Sequence, residues 1–114
     1  MDGPRAHWDR PGHFIGSSEC QFGMTDVING YIVSTVGDYR PPGATTMQPI
    51  GFRHFYETMV FVDSGKRCVE PACECGLPLH NGRDVDFAGY QTAAEAAAGH
   101  ARMIKAYRVV ARPS

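Results

Sequence analysis

Apolar and polar positions alternate along several short stretches of this chain, then switch to a helical period near its end. The stretch "TDVINGYIVSTV" (25–36) is rich in Val, Ile, Tyr and Thr, a strand composition. Asn29-Gly30 lies inside it between apolar residues, which is a hairpin turn signal. The pattern predicts residues 25–28 paired with 31–36; one long strand interrupted by a bulge is the alternative. "RHFYETMVFVD" (53–63) carries the strongest alternation. One face holds Phe55, Glu57, Met59 and Phe61; the other holds His54, Tyr56, Thr58, Val60 and Val62. The first face is bulkier, so it is expected to meet the core and to bring Glu57 inside, where a carboxylate must be paired or protonated. Residues 84–92, "DVDFAGYQT", alternate well enough for a last strand.

The period then changes. Thr92-Ala-Ala-Glu95 is a capping box, in which Thr92 accepts from the backbone at Glu95 and the Glu95 side chain reaches back. The Ala-rich run after it has high helix propensity. Ala96, His100, Met103, Ile104 and Tyr107 share one stripe. Gly99 inside a helix costs about 1 kcal/mol relative to Ala, so a close approach to a neighbour is the natural reason for it. Arg102, Lys105 and Arg108 crowd the second half, where the helix dipole favours cations.

The remaining segments are irregular. Residues 1–23 are rich in Gly, Pro, Ser and His and read as an N-terminal arm. Trp8 within it would lie against the domain or a partner. Residues 37–51 are broken by Pro41, Pro42, Gly43 and Pro49, and residues 64–83 read as a long Cys-rich loop. The expected architecture is α+β: residues 24–112 form one domain, an antiparallel sheet of three or four strands packed by one C-terminal helix.

Composition narrows the function classes. The 114 residues suffice for one domain. A formal net charge of -1 gives no bulk attraction to nucleic acid or anionic lipid. No apolar run approaches the roughly 20 residues that span a bilayer, and the first residues lack the apolar stretch of a secretory signal. A reducing compartment is therefore the expectation, and in it cysteines serve as thiols or metal ligands more often than as disulfides.

Candidate chemistry is sparse. Cys68, Cys73, Cys75 and His80 have the inventory of a zinc site in the spacing C-x4-C-x-C-x4-H. That spacing departs from closely paired ligands, and Cys20 could replace His80. The plainer reading is a loop of reduced thiols, with a disulfide as a third. Zinc is thus the only cofactor the residues suggest. Glu57 and His100 would meet if strand and helix pack as supposed, either as an acid/base pair or as a structural pair; the structural pair is the expected reading. The row Arg102, Lys105, Arg108 and Arg112 is either a face that touches phosphate or an acidic partner or, as expected, a solvated helix face favoured by the dipole. No dinucleotide or phosphate-loop glycine pattern occurs.

The segments "VSTVGDY" (33–39), "YETMVF" (56–61) and "GYQTAAEAAAGHARMI" (89–104) together resemble a group of small proteins of tailed bacteriophages, especially phages of actinobacteria. The matching positions are Ser34, Thr35 and Val36, then Glu57, Thr58, Met59, Val60 and Phe61, then Tyr90, Thr92, Glu95, Ala96, Gly99 and His100. The arm and the Cys-rich excursion depart from that pattern. The resemblance implies a source and a shape rather than an activity. The expectation is a non-enzymatic accessory protein in the infected host cytoplasm, binding a host or phage protein or a small ligand. Its recognition surfaces would be the arm and the 64–83 loop, because irregular segments on a rigid scaffold commonly carry recognition. The alternatives are a minor virion component and a zinc-stabilised nucleic-acid module, the latter disfavoured by the charge.

Overall fold

In a computed structural model that describes residues 20–51, 53–67 and 78–113, four strands form a meander and one helix crosses it. The strands are β1 (Cys20–Ile28), β2 (Tyr31–Tyr39), β3 (Tyr56–Arg67) and β4 (Pro78–Tyr90); the helix is α1 (Ala93–Val109). All neighbours are antiparallel, in the order β1-β2-β3-β4. The fold is α+β, an antiparallel sheet with one C-terminal helix, as the pattern predicts.

The β1–β2 hairpin turns on Asn29-Gly30, with Ile28 opposite Tyr31. Both turn residues have positive φ, 54° and 83°, the geometry that matches the twist of a tight hairpin. Strand β1 begins at Cys20, inside the expected arm, because residues 20–23 pair with the far end of β2 around Gly37 and Tyr39. The rest of the arm, Trp8 included, lies outside the described residues. Strands also occupy both ends of the range expected as the 64–83 loop. β3 runs on to Arg67 and β4 starts at Pro78, and both extensions pass through register shifts between Val60 and Lys66. Such bulges bend a strand and hide its alternation from the sequence. Cys68, Cys73 and Cys75 fall outside the described residues.

The helix covers the face opposite to the one expected. Tyr31, Val33, Val60 and Val62 form the buried cluster, with Ile28, Met103, Ile104 and Tyr107 packed on it. The β3 face under α1 is therefore Tyr56, Thr58, Val60 and Val62, all buried. Bulk misleads here: β-branched side chains make a flat floor on which a helix can lie, while the larger Phe61 is buried on the reverse face with Ile32 and Met59.

Near its start the helix meets the sheet closely. Tyr56, Tyr90 and Ala96 form a third buried cluster. A Cβ at Gly99 would lie 2.2 Å from the Tyr90 hydroxyl oxygen and its ring carbons, so only glycine lets the Tyr90 ring pass beneath the helix. Gly99→Ala gains about 1 kcal/mol of helix propensity, against an overpacking cost of about 1–3 kcal/mol and a displaced buried phenol costing about 1–3 kcal/mol. The expected result in denaturant unfolding is net loss of stability. Relief is expected when Tyr90→Ala is added to Gly99→Ala.

At the far end, Tyr107 packs edge-on against Tyr31, with ring centroids 4.8 Å apart, and its hydroxyl donates to Asp86 Oδ2 at 2.9 Å. Burial, then the hydrogen bond to the Asp86 carboxylate, push the Tyr107 phenol up from 10.0 to about 12. A raised phenol pKa means that folding favours the neutral form. This stabilisation is complete below pH 10 and is lost as pH rises from 10 toward about 12. Stability measured across that interval is expected to fall less steeply in Tyr107→Phe than in the parent.

Candidate functional site

The chemical centre of the molecule is a line of hydrogen bonds between helix and sheet. Thr35 on β2 and Thr58 on β3 are directly opposite in the register, on the helix-facing side. Their hydroxyl oxygens are 2.6 Å apart. His100 of α1 lies above them, with Nδ1 2.6 Å from Thr35 Oγ1 and Nε2 2.7 Å from Asp26 Oδ2 on β1. Tyr90, the last residue of β4, donates its hydroxyl to Thr58 Oγ1 at 3.0 Å. All four strands and the helix therefore meet in five side chains.

One assignment gives every donor along the line an acceptor. Tyr90 gives its only proton to Thr58. Thr58 then donates to Thr35, Thr35 to His100 Nδ1, and His100 Nε2–H to the Asp26 carboxylate. The protons point one way along the chain, from the phenol to the carboxylate. Reversal would leave the Thr58 proton without an acceptor in the chain, so the carboxylate at one end and the phenol at the other set the imidazole tautomer.

Hydroxyl, imidazole and carboxylate are the parts of a nucleophile relay. Burial decides against that use. Thr35 and Thr58 are 0 % exposed and the His100 side chain 3 %, whereas the Asp26 side chain is 56 % exposed. The end open to water is the carboxylate, and the hydroxyl that would attack is sealed beneath the helix. A substrate carbonyl has no approach to it. What the arrangement can do is hold the helix in one position, since the buried polar atoms of Thr35, Thr58, Tyr90 and His100 all have partners within it.

The expected pair of Glu57 and His100 does not form. Glu57 projects from the reverse face of β3, and its Oε1 lies 3.1 Å from Nε2 of His54, which is itself buried. Glu57 and Thr58 are neighbours on a strand and so point to opposite faces; Thr58, not Glu57, shares the interface with His100. The His54 ring sits against Gly51 and Gly89, where a side chain would collide with it.

Thr92 caps α1, accepting from Glu95 N at 3.1 Å, while Glu95 Oε1 accepts from Thr92 N at 3.1 Å and Gln91 N at 3.0 Å. His80 lies in β4 with its ring stacked on Phe61, centroids 4.8 Å apart. Among the described residues no three His, Cys, Asp or Glu side chains converge as metal ligands. Arg102, Lys105 and Arg108 are exposed on α1. Beside Arg102 a hollow of about 360 Å³ is lined by Gly89, Tyr90, Gln91, Glu95 and Ala98.

Sequence reasoning missed Asp26, Thr35, Thr58 and Tyr90 as one group. The available signal was a polar residue in the middle of each apolar strand, Thr35 and Thr58, together with the short motifs that contain Thr35, Thr58, Tyr90, Gly99 and His100. No protein-family model, curated protein or solved structure matches this chain.

Next to Thr35 stands a control. Ser34 Oγ, on the reverse face, is buried without a hydrogen-bond partner among the described residues. Thr35→Val keeps the shape but orphans His100 Nδ1 and the Thr58 proton, an expected cost of about 2–4 kcal/mol in chemical denaturation. Ser34→Ala removes a desolvated hydroxyl with no partner among the described residues and is expected to be neutral or stabilising. Equal effects of the two substitutions would contradict the assignment.

Proposed function

We propose that this is a non-enzymatic, phage-encoded accessory protein that binds an acidic protein partner along the outward face of α1. The observation that carries the reading is the state of Arg102, Lys105 and Arg108. All three are exposed, and among the described residues none forms a hydrogen bond or ion pair within the chain. Val109 beside them is 82 % exposed. Cations left unpaired next to an uncovered apolar side chain fit a surface completed by a partner: charge steers the encounter and the apolar contact adds burial. Glu95 at the other end of the helix repels an anionic partner, which favours contact with the cationic half. The sealed hydroxyl chain supports the non-enzymatic part of the reading, because its one exposed group is a carboxylate already holding His100. The phage source rests on the resemblance of the three motifs.

A photo-crosslinking residue at position 105, with one at position 25 on the opposite sheet face as control, tests the reading in extracts of infected cells. The expected product is an adduct to an acidic protein from position 105 only, weakened at about 1 M salt, where the Debye length is about 3 Å. The adduct is expected to disappear in the charge reversal Arg102→Glu, Lys105→Glu, Arg108→Glu, with melting lowered only by the helix-dipole effect, about 0.3–1 kcal/mol for a charge in the last turn; the charge-neutral Arg102→Gln, Lys105→Gln, Arg108→Gln is expected to weaken the adduct with a smaller change in melting. An adduct that survives the reversal overturns the proposal. Recovery of the protein from purified virions would make the partner a particle component, and tight salt-sensitive binding to an oligonucleotide would replace the protein partner with nucleic acid.

A further inference from the structure

The Asn29-Gly30 turn serves the helix as well as the hairpin. Asn29 Nδ2 donates to the carbonyl oxygens of Tyr107 at 3.1 Å and Val110 at 2.6 Å. These belong to the last turn of α1 and the residue after it, where carbonyls lack partners within the helix. Tyr31, the next residue of β2, donates its hydroxyl to Ala111 O at 2.9 Å. Pro113 lies over the turn, so that a Cβ at Gly30 would sit 2.9 Å from Pro113 Cδ. One carboxamide, one phenol and one prolyl ring therefore strap the helix end and residues 111–113 to the first hairpin.

The residue that makes the strap is also chemically perishable. Asparagine is thermolabile, and a following glycine presents a backbone nitrogen that no side chain shields. The reaction needs only water. The Gly30 amide nitrogen attacks Asn29 Cγ, and the new N–C bond closes a succinimide. The Cγ–Nδ2 bond breaks, and ammonia leaves carrying the proton that the Gly30 nitrogen gives up. Water then opens the ring to aspartate or to isoaspartate.

We propose that Asn29 is a deamidation site guarded by the docked helix end, and that its conversion acts as a one-way latch on that end. While docked, the nitrogen that must leave is held by two carbonyl oxygens, so the reaction runs from the undocked state. The product cannot restore the strap. A carboxylate has no N–H to offer the Tyr107 and Val110 carbonyls, and it places a negative charge at the negative end of the helix. Isoaspartate also lengthens the backbone of a turn built for two residues. The latch stands apart from the identity of any partner, although Arg108 and Val109 lie on the turn that it would release.

The test follows deamidation of the full-length protein over time at neutral pH by peptide mapping and mass spectrometry. A synthetic peptide of residues 25–34 is the unprotected reference, and Tyr31→Phe removes one strap. The protein is expected to convert at least about tenfold more slowly than the peptide, and Tyr31→Phe roughly three- to tenfold faster than the parent, the factor for one hydrogen bond. Equal rates in protein and peptide, or no acceleration in Tyr31→Phe, overturn the guard. The deamidated fraction of the aged parent, separated by charge, and Asn29→Asp are then compared by hydrogen exchange. Protection is expected to be lost over residues 107–112 and kept over 93–104. Unchanged protection at 107–112 in the deamidated fraction overturns the latch.

Discussion

A helix lying on a sheet through apolar contacts alone can slide and rotate at little cost; His100 removes that freedom. Its ring is fixed at one nitrogen by Thr35 and at the other by Asp26. Thr35 is in turn tied to Thr58 and Thr58 to Tyr90. In a buried setting each of these bonds is costly to leave unmade, so the helix has one rotational and axial setting in which none is broken. Much else follows from that setting: Gly99 above the Tyr90 ring, Ala96 flat against the sheet, and Met103, Ile104 and Tyr107 over the valines of β2 and β3.

The same constraint accounts for the arrangement of the two ends of α1. At the start, the capping box fixes where the helix leaves β4, two residues after Tyr90. At the finish, Asn29 and Tyr31 take up carbonyls that the helix leaves unpaired. The first hairpin and the last helix, distant in sequence, thus complete one another. A turn selected for its backbone geometry doubles as the cap of a helix almost eighty residues away.

This construction leaves the outer side of α1 unused by the fold. The alanines of its first half other than Ala96 and the cations of its second half are exposed, and among the described residues no helix is long and apolar enough to cross a membrane. A polar network spent on holding the helix, beneath a helix whose outer face is cationic and uncommitted, is the division of labour expected of a scaffold that presents a surface rather than a cleft. The proposed partner chemistry, an acidic protein, rests on that division.

Local chemistry made much of the fold legible in the residues themselves. Asn29-Gly30 specifies a tight turn whatever surrounds it, Thr92 and Glu95 cap a helix with atoms a few residues apart, and the 3.6-residue stripe from Ala96 to Tyr107 needs only the helix to exist. What lay beyond the sequence was every choice between equivalent faces and between distant partners. The alternation of β3 offered two faces and no means of telling which would lie under α1. The answer came from cross-strand register, which set Thr35 opposite Thr58 and gave their hydroxyls to His100 rather than to solvent. Glu57 was thereby turned away toward His54, and Asp26, an ordinary strand carboxylate in the sequence, became the anchor of the helix. Hydrogen bonds between residues tens of positions apart depend on where three strands and a helix stop in space, and only the packed tertiary structure contains that information.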